Sequence, residues 1–258
     1  MRCLTLNIWN YSGLWTERRR AIASIIQQHL PDVVALQETR HDFRYERGRG
    51  QAEQIAELTQ YIPTWALGQV YVPILRVDEG ISLLTRVPPS AVTTRHFTRN
   101  GHERDDENQR LCLGLTLPRA EGSVHVFNTH FSMSAPARRH NAREVFEFVK
   151  DQSGSEPAIL MGDLNAEPHT PEIRFLIGEE TLAGTPPPPA GDFRDCWTAL
   201  HPHEPGFTYG SDAPVRRIDY VLVRNVATSP RSAEIVGAAM VNGVYPSDHM
   251  GILVEFDL

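Results

Sequence analysis

Six short polar motifs are spaced along the chain, and their residue types are those that catalyse ester hydrolysis. Carboxylates bind hard cations such as Mg²⁺ through oxygen, histidines transfer protons, and asparagine amides donate hydrogen bonds to anionic oxygens. This combination predicts attack of water on a phosphoester. The motifs are Leu6-Asn7, Gln37-Glu38-Thr39, Asn128-Thr129-His130, Gly162-Asp163-Leu164-Asn165, Arg217-Ile218-Asp219-Tyr220 and Ser247-Asp248-His249.

Polar residues at the ends of apolar strands are candidates for a metal site and a water-activating site. Glu38 follows the apolar run 33–37, where a carboxylate is costly unless it is paired or binds a cation. A strand-end cap is the alternative for Glu38, and a simple turn-forming role is the alternative for Asn7. Asp163 and Asn165, two residues apart in a predicted turn, can together hold and deprotonate a water, although both residue types also favour turns.

A carboxylate within a strand has two interpretations. Asp219 interrupts an apolar run, where it either forms an ion pair with Arg216 or Arg217 or orients His249. An aspartate that orients a histidine fixes its tautomer and raises its basicity. His130 closes another strand run and is either a site residue or a surface histidine.

The elements that must position these residues follow from hydrophobic periodicity. Five consecutive strand runs without an intervening helix predict antiparallel pairing. Strand clusters that alternate with helices predict an α/β fold with two sheets packed face to face and helices outside. Because each motif ends, opens or lies within a strand, we expect all six at one rim, within a single domain of residues 1–258. We predict helices at 16–30, 51–61, 136–149 and from 170, and strands at 3–8, 33–36, 69–72, 81–84, 91–97, 111–117, 124–128, 158–161, 218–223, 233–240 and 250–256.

Composition excludes several classes of protein. With 258 residues, 41% of them hydrophobic, the chain can bury a large core. A formal net charge of −7 argues against a protein that coats nucleic acid, but it leaves room for a local basic groove. The three cysteines lack metal-ligand spacing, so we expect neither zinc nor a disulfide framework. No apolar run approaches the ~20 residues that span a bilayer, and the first strand starts at Arg2, so we expect a cytoplasmic location.

In this order, over almost the full length, the motifs resemble those of the endonuclease/exonuclease/phosphatase superfamily. The resemblance implies a four-layered α/β sandwich with two mixed β-sheets and a hydrolase of phosphodiesters or phosphomonoesters that depends on Mg²⁺ or Mn²⁺. Glu38 resembles the metal ligand of that family, and Asn7 resembles its partner beside the metal and the phosphate. Asp248 resembles a second metal ligand.

The resemblance also implies roles for the remaining site residues. Asp163 and Asn165 resemble the pair that aligns the nucleophilic water and contacts the phosphate. Asp219 and His249 resemble the carboxylate-imidazole dyad. His130 resembles the residue that contacts the phosphate or serves the leaving group.

The motif surroundings favour a phosphodiesterase over a DNA-repair enzyme. Abasic-site nucleases of the superfamily carry an acidic residue where this chain has Trp9, and a Trp-rich stretch where it has 206–211. Asn7-Ile8-Trp9 and the segment 207–220 are more similar to bacterial metal-dependent hydrolases and to neutral sphingomyelinase-like members. A DNA or RNA nuclease, a sphingomyelinase-like phospholipid phosphodiesterase and a non-catalytic phosphate-binding module on the same scaffold are the alternatives.

Arginines in two variable segments are candidates for binding the substrate, either nucleic acid or a phospholipid or small phosphodiester. Arg44 and Arg47 lie in the segment 40–50 among aromatic residues, a mixture that can grip a phosphate chain or stack a base. A solvated loop is the alternative there. Arg138 and Arg139 follow His130 closely enough to steer an anion. We expect no obligate protein partner.

Overall fold

The computed structural model describes residues 1–72, 77–99, 107–188, 192–226 and 230–258. Strands and helices alternate in blocks along these residues. In chain order they are β1 (Arg2–Asn7), α1 (Trp15–His29), β2 (Val33–His41), a 3-10 turn (Glu46–Gly48), α2 (Gln51–Thr59), β3 (Ile62–Val72), β4 (Val77–Thr85), β5 (Ala91–His96), β6 (Leu111–Pro118), β7 (Ser123–His130), α3 (Ala135–Ser153), β8 (Ala158–Asp163), α4 (Pro171–Leu176), β9 (Arg194–Asp195), α5 (Cys196–Leu200), β10 (Asp219–Arg224), β11 (Ser232–Val236) and β12 (Gly251–Glu255).

The described strands form two mixed sheets of six. The first has the order β11-β12-β1-β2-β4-β3 and the second the order β5-β6-β7-β8-β10-β9. Among these described strands, only β1 with β2 and β7 with β8 pair in parallel. The five consecutive strands pair antiparallel as predicted, but the chain changes sheets between β4 and β5. The two mixed sheets confirm the predicted fold class.

Alternating side chains on each strand build a core on both faces of each sheet. In β2, Val33 and Ala35 face the other sheet, whereas Val34 and Leu36 face the helices. The period of two along a strand explains why these segments are apolar throughout. Helices α1 and α2 cover the first sheet, and α3 and α4 cover the second, which gives four layers.

Helix boundaries follow local chemistry. Helix α1 ends at His29, and its C-cap residue Leu30 has a left-handed conformation directly before Pro31. Helix α3 begins after Ser134, which accepts a hydrogen bond from the Ala137 amide, and has Pro136 in its first turn. The structure extends α3 to Ser153, beyond the predicted end. None of the described helices is long and apolar enough to cross a membrane.

Three short elements of the described structure were not predicted, namely the 3-10 turn Glu46–Gly48, β9 and α5. The two-residue strand β9 pairs with β10, and α5 follows it directly. Asp195 caps α5 by accepting a hydrogen bond from the Trp197 amide at 3.1 Å. Elements of this length contain too few residues to produce a periodic pattern.

Candidate active site

The strand ends converge on one open cavity of about 320 Å³. Asn7 and Asp219 are fully buried and form hydrogen bonds with the side chains that line it. The predicted residues that line the cavity are Glu38, His130, Asp163, Asn165, Asp248 and His249.

A β-bulge directs Glu38 towards the cavity. The register of β2 against β4 shifts between Leu36 and Thr39, and Glu38 has a φ of 57°, a conformation uncommon for residues other than glycine. The Asn10 amide donates to Glu38 Oε2 at 2.9 Å, and the Asn7 amide donates to Oε1 at 3.2 Å. A strained backbone at this position is consistent with a constraint imposed by function.

Asn7 joins two carboxylates. Its Nδ2 donates to Glu38 Oε1 and also to Asp163 Oδ2 at 3.0 Å, while its Oδ1 accepts from the Trp9 amide at 3.0 Å. Through these bonds Asn7 fixes the spacing between the two carboxylates. Its place beside the metal and the phosphate stays a prediction.

Asp163, at the end of β8, is a buried carboxyl group with a nearly neutral pKa. Its Oδ1 accepts a hydrogen bond from the backbone N–H of Asn165 at 2.9 Å. Burial and the charge of Asp219 raise the pKa of Asp163 to about 7, although His249 and the hydrogen bonds oppose the rise. A carboxylate with a pKa near 7 is suited to accept a proton from water.

Asp219 pairs with His249. His249 Nδ1 lies 2.9 Å from Asp219 Oδ2, and His249 Nε2 lies 3.8 Å from Asp163 Oδ2. Burial by itself lowers the pKa of His249, but Asp219, through charge and hydrogen bonding, together with Asp163 and Asp248, raises it to about 10. The ring is therefore an imidazolium at neutral pH, with Nδ1–H donating to Asp219.

The alternative ion pairs for Asp219 are not formed. Arg217 pairs with Asp195 at 2.6 Å, and Arg216 pairs with Glu167 at 3.1 Å. Arg217 also lies over the ring of Tyr220, with its guanidinium carbon 4.7 Å from the ring centroid. Arg217 thus anchors the start of β10 without contacting the Asp219 carboxylate, which bonds to His249 instead.

His130 is buried at the end of β7, so it is not a surface histidine. Its Nδ1 lies 3.0 Å from Arg110 Nη1, and its Nε2 lies 3.1 Å from Asn165 Nδ2 and 3.4 Å from Asp163 Oδ2. Burial lowers the pKa of His130 well below its ordinary value, and the positive charges of Arg110 and His249 lower it further. At neutral pH the ring of His130 is therefore neutral, whereas that of His249 is positively charged.

Glu38 and Asp248 form a donor set that fits a hard cation. Both carboxylates face the cavity. Burial raises the pKa of Asp248, His249 opposes the rise, and the charge of Glu38 adds to it. A divalent cation between them would relieve this repulsion. Donor atoms of Asp163, Asp219 and His249 also lie within 4.8 Å of one another, and within this group His249 Nδ1 is bonded to Asp219 Oδ2. Asp219 Oδ1 is buried and has no hydrogen-bond partner among the described residues.

The predicted substrate-binding arginines are not among the described residues that line the cavity. Arg44 is bound to Asp42 on its own loop at 2.6 Å. Arg138 donates to the Met133 carbonyl at 2.5 Å, and Arg139 is exposed. The side chain of Arg47 lies outside the described residues.

Among the described residues, three other arginines line the cavity, namely Arg40, Arg110 and Arg216. Arg40 Nε donates to Glu79 at 2.6 Å and its guanidinium lies over the ring of Tyr71. Arg40 and Arg216 lie next to predicted motifs, so proximity in sequence was a usable signal for both. Arg110 precedes β6 and belongs to no motif, so no local signal indicated it.

Asn128 is structural rather than part of the cavity. Its Nδ2 donates across the two sheets to the carbonyls of Leu36 and Ser82, at 2.9 and 2.8 Å, and its Oδ1 accepts from Gln37 Nε2 at 2.7 Å. These buried bonds fix the position of β7, which carries His130, against β2, which carries Glu38.

Buried Arg18 on α1 holds the loop that follows β1. Its guanidinium lies 5.2 Å from the centroid of the Trp9 ring, and its nitrogens make five hydrogen bonds to backbone carbonyls. One bond reaches the loop that precedes Asp248, so Arg18 ties together two loops around Glu38. The accepting carbonyls belong to Ile8, Trp9, Asn10, Ser12 and Pro246.

Comparisons with known proteins agree with this architecture. The chain is 24% identical to Nocturnin of Drosophila melanogaster over 95% of its own length and 42% of that protein. It is 25% identical to exodeoxyribonuclease III of Haemophilus influenzae over 67% of its own length and 60% of the relative, so it spans less than two thirds of either protein. An endonuclease/exonuclease/phosphatase family protein from Leptotrichia buccalis has the same fold, with a TM-score of 0.77 at 19% identity over the full length of both chains. The model of the Endonuclease/Exonuclease/phosphatase family matches residues 4–249, and the chain belongs to that family.

Proposed function

We propose that residues 1–258 form a single catalytic domain that hydrolyses phosphoester bonds with Mg²⁺ or Mn²⁺, and that its substrates are phosphodiesters. The observation that carries this proposal is the convergence of Glu38, Asp163, Asn165 and His249 on one open cavity. Family membership supports hydrolysis of a phosphoester, and the oxygen donors support a hard cation.

Glu38 and Asp248 would hold the metal, which when bound supplies positive charge that polarises the phosphoryl group. Asp163 orients the attacking water and accepts its proton, because its pKa of about 7 balances availability and basicity. Asn7 holds Asp163 in place through the bond at 3.0 Å. The side-chain amide of Asn165, whose Nδ2 lies beside His130 Nε2, contacts a phosphoryl oxygen.

The two histidines act on charge that develops as the phosphoester bond breaks. His249, kept protonated by Asp219, stabilises negative charge on the phosphoryl oxygens. His130, kept neutral, donates a hydrogen bond to a phosphoryl oxygen without adding a second positive charge to the site. Because His249 is charged and His130 is neutral, the two histidines have separate roles.

Alanine variants of the reacting residues test this proposal. We expect Asp163→Ala and His249→Ala to lower hydrolysis of bis(p-nitrophenyl) phosphate, with Mg²⁺ or Mn²⁺ present, by about two to four orders of magnitude. Asp212→Ala, which removes an exposed carboxylate, is the matched control and should leave the rate unchanged. Undiminished hydrolysis by either site variant would contradict the assignment.

A non-catalytic phosphate-binding module on the same scaffold is the competing function. Retention of both buried acids and both histidines favours turnover over binding alone. Metal-dependent turnover of any phosphoester would exclude the module, whereas tight binding without turnover would support it.

A substrate panel tests whether the phosphodiester is small or polymeric. The arginines at the cavity and the name of the exodeoxyribonuclease III relative favour nucleic acid as the second candidate. The panel compares bis(p-nitrophenyl) phosphate, a small phosphodiester, with abasic-site DNA, single-stranded DNA, RNA, sphingomyelin and small phosphomonoesters under one metal concentration. We expect the highest kcat/KM on small phosphodiesters, and preference for a nucleic acid would indicate the nuclease branch.

A further inference from the structure

Arg110 and Asn165 compete for one lone pair on His130. A neutral imidazole has one unprotonated nitrogen, which accepts a hydrogen bond, and one N–H, which donates. Both ring nitrogens face donor groups, because Arg110 Nη1 lies 3.0 Å from Nδ1 and Asn165 Nδ2 lies 3.1 Å from Nε2. Only one of these groups can donate to the ring.

Charge and alternative partners decide this competition in favour of Arg110. A guanidinium is always protonated and cannot accept a hydrogen bond, and its charge-assisted bonds are about twice as strong as neutral ones. The Asn165 amide has another acceptor, the Phe131 carbonyl at 3.1 Å. His130 Nδ1 therefore carries the lone pair, and the proton lies on Nε2, which has Asp163 Oδ2 at 3.4 Å as its acceptor.

We propose that Arg110 is a positioning residue that fixes His130 as the Nε2–H tautomer, whose N–H faces Asp163 Oδ2 in the free protein and donates to a phosphoryl oxygen when substrate is bound. This inference rests on the proposed phosphoester hydrolysis, since it assigns a donor to that reaction. Arg110 both lines the cavity and contacts Nδ1, so it blocks the alternative tautomer without being the donor itself. The lowered pKa of His130 agrees with a neutral ring.

The tautomer is read directly from the wild-type protein. We expect long-range proton–nitrogen NMR spectra, recorded with Mg²⁺, to show an unprotonated Nδ1 and a protonated Nε2 for His130. The His130→Gln variant assigns these signals by their disappearance. A protonated Nδ1 in the wild-type protein would overturn the inference, whether or not the protein hydrolyses any ester. Failure of the inference is therefore distinguishable from failure of the proposed function.

Two substitutions separate positioning from direct substrate binding. In Arg110→Leu the Asn165 amide can take the lone pair on Nε2, so we expect part of the proton to move to Nδ1. The kcat for bis(p-nitrophenyl) phosphate should fall about 10- to 100-fold, with KM changed less than about threefold. Arg110→Lys keeps a charged donor and should recover most of the lost kcat. If Arg110→Leu leaves both nitrogens as in the wild type, or raises KM at constant kcat, the inference is wrong.

Arg95→Leu is the matched control. Arg95 lies on β5, opposite β6, and pairs with exposed Glu147 at 3.2 Å, away from the cavity. Its removal deletes one positive charge from the same sheet, and we expect neither kcat nor the His130 signals to change. If Arg110→Leu does not fold, the wild-type spectrum still decides the question.

Discussion

At the scale of single residues, the site raises the pKa values of Asp163 and His249 but keeps them apart. The pKa of Asp163 rises to about 7 and that of His249 to about 10, so between these values a carboxylate and an imidazolium lie 3.8 Å apart. Burial raises the first pKa, whereas carboxylate neighbours raise the second against the effect of burial. The environment thus assigns a base and an electrostatic stabiliser to adjacent side chains.

The raised pKa of His249 predicts how stability changes with pH. A group whose pKa is higher in the folded state than its usual value of 6.5 stabilises the fold below pH 6.5, and this contribution is lost as pH rises towards 10. In metal-free protein we expect the wild-type Tm to fall more steeply between pH 7 and 10 than that of His249→Gln. Scanning calorimetry with EDTA present measures both slopes, and parallel slopes would contradict the charge state assigned to His249.

A site residue was predictable where its own sequence surroundings make its residue type unusual. Asp163 and His249 could be predicted because they interrupt or end apolar strands, where charged groups are costly. Arg110 was not predicted, since its partner His130 lies 20 residues away. Arg18 was not predicted, since its acceptors are backbone carbonyls, which every residue type carries. The sequence neighbours of such an arginine contain no trace of the contact that gives it a role.

At the scale of elements, close approach of β7 and β8 determines where Asp163 lies. Gly162 pairs with Thr129 in parallel and has a φ of 148°, and a Cβ built on Gly162 would lie 1.9 Å from the Thr129 carbonyl oxygen. That distance is below any real contact, so the strands can pair in this register only with glycine at this position. His130 and Asp163, which follow on the two strands, depend on the same register.

Gly162→Ala should therefore lower the free energy of unfolding by more than backbone strain alone would. We expect it to lower the free energy of unfolding by about 3 kcal/mol or more, the sum of strain and overpacking. Gly243→Ala is the matched control, because Gly243 also has a positive φ, 82°, but no atom lies within 4 Å of its added Cβ. Its cost should be about 1 kcal/mol. Equal costs in urea denaturation would show that the approach of Thr129 does not constrain Gly162.

Arg18 should affect metal binding without contacting the metal. Arg18→Lys keeps a positive charge but cannot bond all the carbonyls that hold the loops around Glu38. We expect this variant to bind Mn²⁺ about 10-fold more weakly by titration calorimetry, as when an outer-shell partner of a metal site is changed. Arg20→Met, a change on the exposed face of α1, should bind Mn²⁺ as the wild type does. Unchanged Mn²⁺ affinity in Arg18→Lys would contradict this role.

At the scale of the whole molecule, the acidic surface and the arginine-containing cavity differ in their electrostatics. The net charge of −7 repels long polyanions. Arg40, Arg110 and Arg216 place guanidinium groups at the cavity, but Arg40 and Arg216 are paired with Glu79 and Glu167. We expect kcat/KM for a small phosphodiester to change less than about threefold between 50 and 200 mM salt. A protein that grips a nucleic acid backbone loses several orders of magnitude over this range. Steady-state rates at several salt concentrations measure the difference, and a steep loss with the small ester would contradict the account.

The layered architecture was predictable because both faces of each sheet are buried, which leaves apolar strands and amphipathic helices as clear patterns. The change of sheet between β4 and β5 was not, since Ile81 and Val92 lie in similar strand segments of different sheets. Pairing partners are set by packing over the whole molecule. The bulge at Glu38 is a second case, because one unpaired residue leaves no periodic signal.

Metal binding at Glu38 and phosphoester hydrolysis are tested most directly together. Protein freed of metal with EDTA is titrated with Mn²⁺ in a calorimeter and assayed with bis(p-nitrophenyl) phosphate, alongside Glu38→Gln. We predict no turnover without metal, recovery with Mg²⁺ or Mn²⁺, and Mn²⁺ affinity about 10- to 100-fold weaker in Glu38→Gln. Full turnover after EDTA treatment, or wild-type Mn²⁺ affinity in Glu38→Gln, would contradict the account.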